Sequence, residues 1–418
     1  MGILHVLHNS LPLLCGYSIR SGYIVNNQRS FGWNPSVVTS AQHPNGDAMV
    51  EVIAGTEYRR TVPSGRSRVP FVREWRLMRD LEARIEAAAR DFSPDIIHAH
   101  SPVLVGLPAL RVAKRLGIPF VYEIRDLWEN ASVDRGRFAA GSPMYRLARG
   151  LESHVLRNAD AVVTICDLLK DELTPRAGHG KVSVVANGVD VDSFRPQAID
   201  PALQNRWGLA GKKVLLYAGT FQPYEGLDLL VQAMPEVVRQ VPDAHLVIVG
   251  GSAGLAGGAN ATSPEEQLLL NATRDSGATA HVTFTGRIPH GEVKDMYALA
   301  DAMCYPRRWT LTTALTTPLK PLEAMAMAKP VIASDVPPMK ELVMDMKTGL
   351  LFKAGDHLDL AAKCVTLLSD AGLRQRLGDA AREWVLAERQ WTTLVSRYRD
   401  VYERVAPAAA RLREKVPA

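Results

Sequence analysis

The chain has 418 residues, too many for one ordinary core, so we expect two domains of similar size. With 47% hydrophobic and 22% charged residues, its composition excludes a disordered chain and suits a globular α/β enzyme. Four scattered cysteines and the lack of an apolar run of bilayer length argue against a disulfide scaffold and a membrane span, and predict a soluble, cytoplasmic protein.

Part of the formal net charge of +5 comes from the arginine-rich stretch Arg59–Arg84, which holds eight arginines and three acidic residues. One interpretation is a peripheral contact with anionic lipid at the inner face of the plasma membrane. The alternative is a solvated helix face preceded by a flexible loop. Nucleic-acid binding is not expected, because the stretch carries few aromatic residues and no known reader motif.

Two successive sets of short apolar runs, separated by amphipathic stretches such as Trp75–Phe92 and Ala109–Leu116, predict two parallel sheets covered by helices. In the first half the predicted strands are Ile3–Leu7, Ser36–Thr39, Ile96–His98, Phe120–Tyr122, Ala161–Ile165 and Val182–Val185. In the second half they are Lys213–Ala218, His245–Val249, His281–Phe284, Ala302–Tyr305, Val331–Ala333 and Gly349–Phe352.

Turn-forming residues between Asn187 and Pro196 place the domain boundary there, giving domains 1–196 and 197–390. An amphipathic tail from about residue 391 to 418 either crosses back onto the first domain or is a helix of the second. The glycine-rich stretch Gly250–Pro264 is expected to be a surface loop. Asp190-Val191-Asp192 is interpreted as turn chemistry, so no metal site is predicted.

The first strand is followed by no Gly-x-Gly-x-x-Gly, which excludes a dinucleotide fingerprint. A single glycine, Gly16, stands at the expected start of a helix, where backbone N–H groups favour a phosphate oxygen. A plain turn glycine explains it equally well.

The strongest local signal is Thr317–Ala326, followed by the strand around Val331. Lys320 suits a phosphate as a point charge, and Glu323 suits two sugar hydroxyls because a carboxylate only accepts hydrogen bonds. Taken alone, the segment is equally a surface lysine and an acidic residue in the first turn of a helix.

This segment does not stand alone, because nearly the whole chain resembles the family 4 glycosyltransferases, which have the GT-B fold. The segments that carry the resemblance are Ala186–Asp190 with Phe194, Leu215–Ala218 with Gly226–Asp228, His245–Gly250, Phe284–Pro289, Tyr297–Asp301, the Glu323 segment, Gly349–Phe352 and Pro94–His100. Tyr305-Pro306-Arg307 with Thr317–Glu323 is also similar to a subgroup found with bacterial exopolysaccharide and exosortase gene clusters.

The resemblance implies two Rossmann-like domains facing each other across a cleft, with the donor nucleotide held by the second. Glu323 would bind the ribose, with Leu322 beside it, and the backbone of Arg287 and Ile288 would meet the base. Gly16 would approach the donor phosphate from the first domain.

At three positions the sequence departs from the family pattern, which limits how far the family's residue roles can be assigned to this chain. The family often carries two glutamates around this loop, but the position eight before Glu323 is Leu315. The basic pair after the first strand of the second domain is replaced by Thr220–Glu225, so Lys320, helped by Arg307 or Arg308, must neutralise the diphosphate. The third departure is Arg125, where many members have a histidine.

Asp126 follows a strand at its carboxyl end, where ligands bind in open α/β sheets, and is predicted to position or deprotonate the acceptor hydroxyl. Arg125 would lie near the phosphates, or alternatively form a structural Arg–Asp or Arg–Glu pair. His98 and His100 are expected to face opposite sides of their strand, with His100 pointing into the cleft as a third catalytic residue. The alternative is a core histidine whose hydrogen bonds are satisfied inside the domain.

Together these features predict a metal-independent and cofactor-free retaining enzyme that moves a hexose-type sugar from a nucleotide sugar to a glycan or lipid-linked acceptor. Since no carboxylate pair stands out, the leaving diphosphate would do most of the activating. A nucleotide-sugar epimerase, a phosphorylase and a non-catalytic nucleotide-sugar-binding protein remain as alternatives.

Overall fold

A computed structural model describes residues 1–43, 49–65, 72–251 and 263–406. The chain divides into two compact units: unit 1 holds Met1–Asn187 and the chain from Trp391, and unit 2 holds Gly188–Gln390. This division falls at Asn187, ahead of the predicted boundary at residue 196. Arg66 and Arg68 of the basic stretch, residues 252–262 of the predicted loop and the tail beyond residue 406 lie outside the described residues.

The sheet of unit 1 has the order β3-β4-β2-β1-β5-β6-β7-β8, and every neighbouring pair is parallel except the β3–β4 hairpin. Its central strands are fully buried, as expected for a sheet covered on both faces, although β5 and β6 also bury His98, His100 and Glu123. Its strands are β1 (Gly2–Leu7), β2 (Asn34–Thr39), β3 (Val50–Ile53), β4 (Thr56–Arg60), β5 (Ile96–His100), β6 (Phe120–Ile124), β7 (Ala161–Thr164) and β8 (Val182–Val184).

Helices separate most of the strands of unit 1, as in other open α/β sheets, whereas the described residues between β2, β3 and β4 hold no helix. One of them begins at the N-cap Ser142, whose side chain accepts a hydrogen bond from the backbone of Tyr145, and Pro143 then fills the first turn. The helices are α1 (Gly16–Ser30), α2 (Val72–Phe92), α3 (Val103–Leu116), α4 (Trp128–Asp134), α5 (Pro143–Asn158) and α6 (Asp167–Ala177).

Unit 2 carries a parallel sheet of order β11-β10-β9-β12-β13-β14. The chain order reverses between β9 and β12, so these neighbours form the topological switch point where ligands bind in such sheets. Its strands are β9 (Lys213–Thr220), β10 (Ala244–Gly251), β11 (Val282–Gly286), β12 (Ala302–Tyr305), β13 (Val331–Ser334) and β14 (Gly349–Phe352). Its helices are α7 (Pro201–Arg206), α8 (Leu227–Gln240), α9 (Pro264–Asp275), α10 (Val293–Leu299), α11 (Lys320–Ala326), α12 (Pro337–Lys340), α13 (His357–Ser369) and α14 (Ala371–Glu388).

After unit 2 the chain returns to unit 1 through α15 (Trp391–Ser396) and α16 (Tyr398–Val405). Trp391 stacks on Tyr23 of α1 with ring centroids 5.3 Å apart, and Tyr398 and Tyr402 are fully buried. The described part of the tail therefore completes the interior of unit 1. No helix within the described ranges combines the length and apolarity that crossing a bilayer requires.

Candidate functional site

In unit 2 the predicted acid, Glu323, lies in the first turn of α11. The hydroxyl of Tyr297, from α10, donates a hydrogen bond to its Oε2 atom at 3.1 Å. Burial raises the pKa of Glu323 to about 7, although the Tyr297 hydrogen bond and the Lys320 charge act in the opposite direction. In its ionised form this carboxylate can accept hydrogen bonds from a ligand's hydroxyl groups.

The ammonium group of Lys320 lies at the carboxyl end of β9. Its Nζ atom donates to the hydroxyl of Tyr217 at 2.7 Å and stands 3.2 Å from Glu225 Oε2. A Cβ atom on Gly219 would lie 2.3 Å from both Lys320 Cε and Nζ, so the glycine makes room for the lysine. Lys320 thus reaches the switch point from the start of α11.

Glu225 is a site residue that the sequence did not identify. It is 6% exposed, accepts a hydrogen bond from the Tyr217 hydroxyl at 3.1 Å and faces Arg307 Nε at 3.8 Å. Burial acts to raise the pKa of Glu225, but the Lys320 and Arg307 cations outweigh it and leave the pKa below its ordinary value. We refer to Tyr217, Glu225, Arg307 and Lys320 as the lysine cluster.

The two predicted helper arginines have separate positions. Arg307 joins the lysine cluster and donates to the carbonyl of Thr316 at 3.0 Å, whereas Arg308 pairs with Asp228 of α8. Arg307 is therefore the arginine whose charge adds to that of Lys320.

The remaining predicted donor residues lie elsewhere in unit 2. The side chain of Leu322 is fully buried in the hydrophobic core, and its backbone N–H donates to the carbonyl of Leu319. Arg287 is exposed just past the end of β11, with its stem beside Gly251 at the end of β10. Ile288 packs partly buried against the core. Arg287 therefore lies at the same edge of the sheet as the lysine cluster.

In unit 1, Gly16 is exposed as the first residue of α1, and a Cβ atom there would meet nothing within 4 Å. Asp126 is half-buried just after β6. Burial raises the pKa of Asp126, while the charges of Arg135 and Arg125 act to lower it. Both predicted residues therefore lie at chain positions following strands of this sheet.

On β5 and after β6, one prediction is corrected and two residues adopt the alternatives named for them. His98 and His100 lie on the same side of β5, with ring centroids 4.3 Å apart, because residues two apart on a strand share a face. Arg125 is 7% exposed and its Nε atom donates to Glu123 at 2.8 Å, the structural pairing named as the alternative to a place near the phosphates. His100 is completely buried and is hydrogen-bonded to Arg125 and His5, as expected for the alternative of a core histidine.

These residues belong to a chain of hydrogen bonds inside unit 1. Arg125 Nη2 bonds His100 Nδ1 at 2.6 Å, His100 Nε2 bonds His5 Nδ1 at 2.9 Å, and His5 Nε2 bonds the Gln28 carbonyl at 2.8 Å. Since Arg125 can only donate, His100 Nδ1 accepts and His100 Nε2 carries the proton that it donates to His5 Nδ1. His5 Nε2 is then protonated and donates to Gln28.

The chain continues into the C-terminal helix and back to the sheet. Gln28 Nε2 donates to the Tyr402 hydroxyl at 3.0 Å, which bonds His98 Nδ1 at 2.8 Å, and His98 Nε2 faces Glu123 at 3.5 Å. Arg20 also donates to Glu123 at 3.0 Å. We call Arg125, His100, His5, Gln28, Tyr402, His98 and Glu123 the buried polar network.

Within the described residues, His5, His98 and His100 have the spacing of a metal site, since their ligand atoms lie within 4.8 Å of one another. Their nitrogens are largely committed to the buried polar network, and the guanidinium of Arg125 contacts one of the three rings. A neighbouring cation disfavours a second positive charge, so the trio fits a hydrogen-bonded interior better than a metal centre.

Comparisons with known proteins cover both units. Residues 22–193 match the family described as Glycosyltransferase Family 4, and residues 201–384 match Glycosyl transferases group 1. A phosphatidylinositol monomannoside mannosyltransferase of Mycobacterium tuberculosis, described as GDP-mannose-dependent, is 30% identical over 341 residues, covering 75% of this chain and 84% of the relative. The D-inositol 3-phosphate glycosyltransferase of Frankia alni is 31% identical over 309 residues, 71% of each chain.

Solved structures agree on the architecture. Sucrose-phosphate synthase from Thermosynechococcus elongatus superimposes with a TM-score of 0.79 at 21% identity, covering 97% of this chain and 99% of that one. Anabaena HepE in complex with UDP-glucose gives a TM-score of 0.72 at 18% identity, covering 96% and 99%. From its two Rossmann-like sheets and these matches, the chain belongs to the family 4 glycosyltransferases of the GT-B fold.

Proposed function

We propose that the chain transfers a hexose-type sugar from a nucleoside diphosphate sugar to a glycan or lipid-linked acceptor, with retention of anomeric configuration and without a bound metal. The observation that carries the donor half is the pairing of Glu323 and Lys320 within one turn of α11, beside the switch point of the unit 2 sheet. The GDP-mannose named for the mycobacterial relative and the UDP-glucose bound to HepE support a donor of this class.

In the proposed complex each donor group has a chemically matched partner on unit 2. The ionised Glu323 accepts hydrogen bonds from the ribose hydroxyls, and Lys320 places an N–H toward the diphosphate. The segment at Arg287 and Ile288 lies at the same sheet edge and meets the base through its backbone. As the sugar leaves, Lys320 and Arg307 stabilise the negative charge that develops on the diphosphate.

Metal independence is proposed from the way the chain's Asp-x-Asp is used. Asp190 accepts hydrogen bonds from the backbone N–H groups of Asp192 and Ser193, both at 3.1 Å, and from the hydroxyl of Ser193. These bonds make a turn and occupy the oxygens that a cation would need. We expect full transfer activity in the presence of a chelator.

On unit 1, we propose that Asp126 positions or deprotonates the acceptor hydroxyl. The raised pKa of Asp126 strengthens it as a base relative to an exposed aspartate. The proposed acceptor belongs to bacterial surface polysaccharide synthesis, in keeping with the resemblance of Tyr305–Arg307 and Thr317–Glu323 to an exopolysaccharide subgroup.

A lipid-linked acceptor calls for a surface that meets anionic lipid, and part of the predicted basic stretch suits it. Arg73 and Trp75 are exposed near the start of α2, and Val52 is exposed on the edge strand β3. Arg84 of α2 donates a hydrogen bond to the carbonyl of Met49, just before β3, and so joins the two elements. The other end of the stretch is unsuited to a lipid contact, since Arg59 pairs with Glu57 and Asp91, and Arg60 is buried and pairs with Glu51. We therefore narrow the proposed lipid contact to β3 and the first turns of α2.

The donor proposal is tested by titrating UDP, GDP and ADP, and then their sugar conjugates, into the full chain. The double variant Glu323→Ala/Lys320→Met should lose nucleotide affinity by about 100-fold or more, because both a ribose and a phosphate contact disappear. The matched control, Glu388→Ala/Lys347→Met, changes the same residue types at exposed positions of unit 2. Equal affinity in the two double variants would refute the donor site.

Transfer itself is measured by release of the nucleoside diphosphate, with and without a chelator, and by nuclear magnetic resonance of the anomeric proton in the product. Binding without any release, even with a lipid extract as acceptor, would contradict an enzymatic function. For the lipid contact, we expect Arg73→Ser/Arg76→Ser to reduce sedimentation with anionic vesicles, and Arg239→Ser/Arg274→Ser in unit 2 to leave it unchanged.

A further inference from the structure

The lysine cluster holds a carboxylate where a phosphate site would ordinarily hold only cations. Glu225 follows β9 in the loop that, in related proteins, supplies the basic pair, and its charge alone would repel a diphosphate. It is nevertheless buried and has a partner for each oxygen. A carboxylate is tolerated in such a buried place only with partners, and for Glu225 these are Lys320, Arg307 and Tyr217.

The backbone fixes Glu225 in place. It ends a single 3-10 turn, Pro223–Glu225, and the next residue, Gly226, has a φ of +70°. A Cβ atom on Gly226 would lie 2.1 Å from the carbonyl oxygen of Pro306, so the loop packs directly on the segment after β12. This approach sets the Glu225 carboxylate between the elements that deliver Arg307 and Lys320.

Lys320 depends on this carboxylate for its direction. Of its three N–H bonds, one goes to the Tyr217 hydroxyl and one faces Glu225 Oε2, which leaves the third for a ligand. The Tyr217 hydroxyl also bonds Glu225, so the tyrosine and the glutamate hold the ammonium group from two directions. Glu225, Lys320 and Arg307 together carry one net positive charge.

We propose that Glu225 is a positioning residue of the donor site, which holds Lys320 across Gly219 so that an ammonium from α11 replaces the basic pair missing after β9. This rests on the proposed function and names how that site binds the diphosphate. Glu225 touches no ligand and acts through Lys320.

The opposite charges of Glu225 and Lys320 predict that the effect of Glu225→Gln depends on whether Lys320 is present. With Lys320 present, Glu225→Gln should lower UDP or GDP affinity and kcat/KM by about tenfold or more, since the ammonium loses its direction. In Lys320→Met, the carboxylate has no ammonium to hold and only repels the phosphate. There, Glu225→Gln should raise the affinity by about threefold.

The experiment is a double-mutant cycle read by calorimetric titration of UDP, GDP and ADP, with the thermal unfolding midpoint of each variant as a check of folding. Glu236→Gln, half-exposed on α8 and paired with Arg239, is the matched charge control and should leave nucleotide affinity unchanged. Opposite signs of the Glu225→Gln effect in the two backgrounds support the positioning role. The same loss in both backgrounds, or no loss at all, overturns it.

If Glu225→Gln does not fold, Tyr217→Phe carries the same test. It removes the hydroxyl between Glu225 and Lys320, so it should weaken nucleotide binding in the parent chain and have no effect in Lys320→Met; an equal effect in both refutes the proposal. If the parent chain binds none of the three nucleotides, the proposed function itself is overturned. If it binds one and the Glu225 variants match the control, only the positioning role fails.

Discussion

At the scale of single residues, Glu323 is the group whose titration should be visible in binding. Burial raises the pKa of Glu323 to about 7, and the ribose hydroxyls donate to its ionised form. Donor affinity should therefore be constant above this pH and fall toward about tenfold per pH unit below it. Calorimetric titration of a nucleotide sugar, whose diphosphate is esterified at both ends and does not titrate here, measures this profile.

The control for this profile is Glu323→Gln, which keeps the shape of the side chain but has no proton to lose. It should bind the donor more weakly than the parent chain above about pH 7, with a flat profile, so that the two affinities converge as the pH falls. A parent chain with an equally flat profile would show that Glu323 does not titrate against the ligand.

Gly219→Ala tests whether the absence of a Cβ atom at Gly219 is required for the position of the Lys320 side chain. The new Cβ atom would clash with the flexible end of Lys320 at 2.3 Å, and its φ of +156° adds backbone strain. We expect the lysine to be displaced, with nucleotide affinity falling about tenfold and stability by about 1 kcal/mol. Gly355→Ala also has a positive φ but open space around it, so it should cost stability alone. Equal affinities in the two variants would argue against the displacement.

The sequence identifies Lys320 and Glu323 because both stand in one short segment with a residue pattern suited to a nucleotide. Glu225 escapes because its partners come from β9, the loop after β12 and α11, far along the chain. In the sequence alone, an acidic residue before a glycine indicates only a turn, and its partners become visible only in the folded structure.

At the scale of elements, α16 should stabilise unit 1 through one hydroxyl group. Tyr402→Phe leaves Gln28 Nε2 and His98 Nδ1 buried without their shared partner. We expect a loss of about 1–3 kcal/mol in the free energy of unfolding, measured by urea denaturation. Tyr145→Phe removes a hydroxyl that bonds Asn130 in a partly buried position and should cost less. A larger loss in Tyr145→Phe would contradict this account of the network.

Among the elements, the buried strands are predictable and the β3–β4 hairpin is not. All twelve predicted strands are present, because short apolar runs bounded by turn residues are typical of strands in a parallel sheet. The hairpin alternates instead, with Thr56, Tyr58 and Arg60 inward, and its polar residues do not read as a strand. Its turn uses Ala54 and Gly55 at positive φ, without the Asn-Gly pair that signals a hairpin.

At the scale of the whole molecule, buried histidines should make the chain sensitive to mild acid. Burial is the first cause in each case, and it lowers the pKa of His5 to about 3 and of His8 and His43 to about 4, and lowers those of His98, His100 and His245. Since unfolding restores a pKa near 6.5, the unfolded chain takes up more protons below that pH. Their contribution to stability is complete above pH 6.5 and is lost as the pH falls toward the folded values.

Fewer groups act in the opposite direction: burial raises the pKa of Glu152 to about 8 and that of Glu323 to about 7, and raises that of Asp126. The urea midpoint should therefore fall between about pH 7 and 5. His8→Gln should reduce this fall, whereas the exposed His179→Gln should not. A midpoint that rises on acidification would refute the balance of groups.

The two-sheet architecture follows from local patterns that repeat along the chain, so the sequence suffices to predict it. The buried polar network cannot be predicted from local patterns, because its members come from β1, α1, β5, β6 and α16 and are brought together only by folding. The prediction for His98 and His100 was wrong for a simpler reason, a misapplied strand period.

The return of the chain to unit 1 has a consequence for its synthesis. Tyr398 and Tyr402 bond partners in the first 125 residues, yet they leave the ribosome only after all of Gly188–Gln390. The unit translated first is thus completed last. Its buried histidines have no tyrosine partners until α16 has been translated, whereas the second unit already contains every strand of its sheet. We expect a chain that ends before Trp391 to contain all of unit 2 but to lack the tyrosines that bond the interior of unit 1, which should make unit 1 the more accessible to proteases.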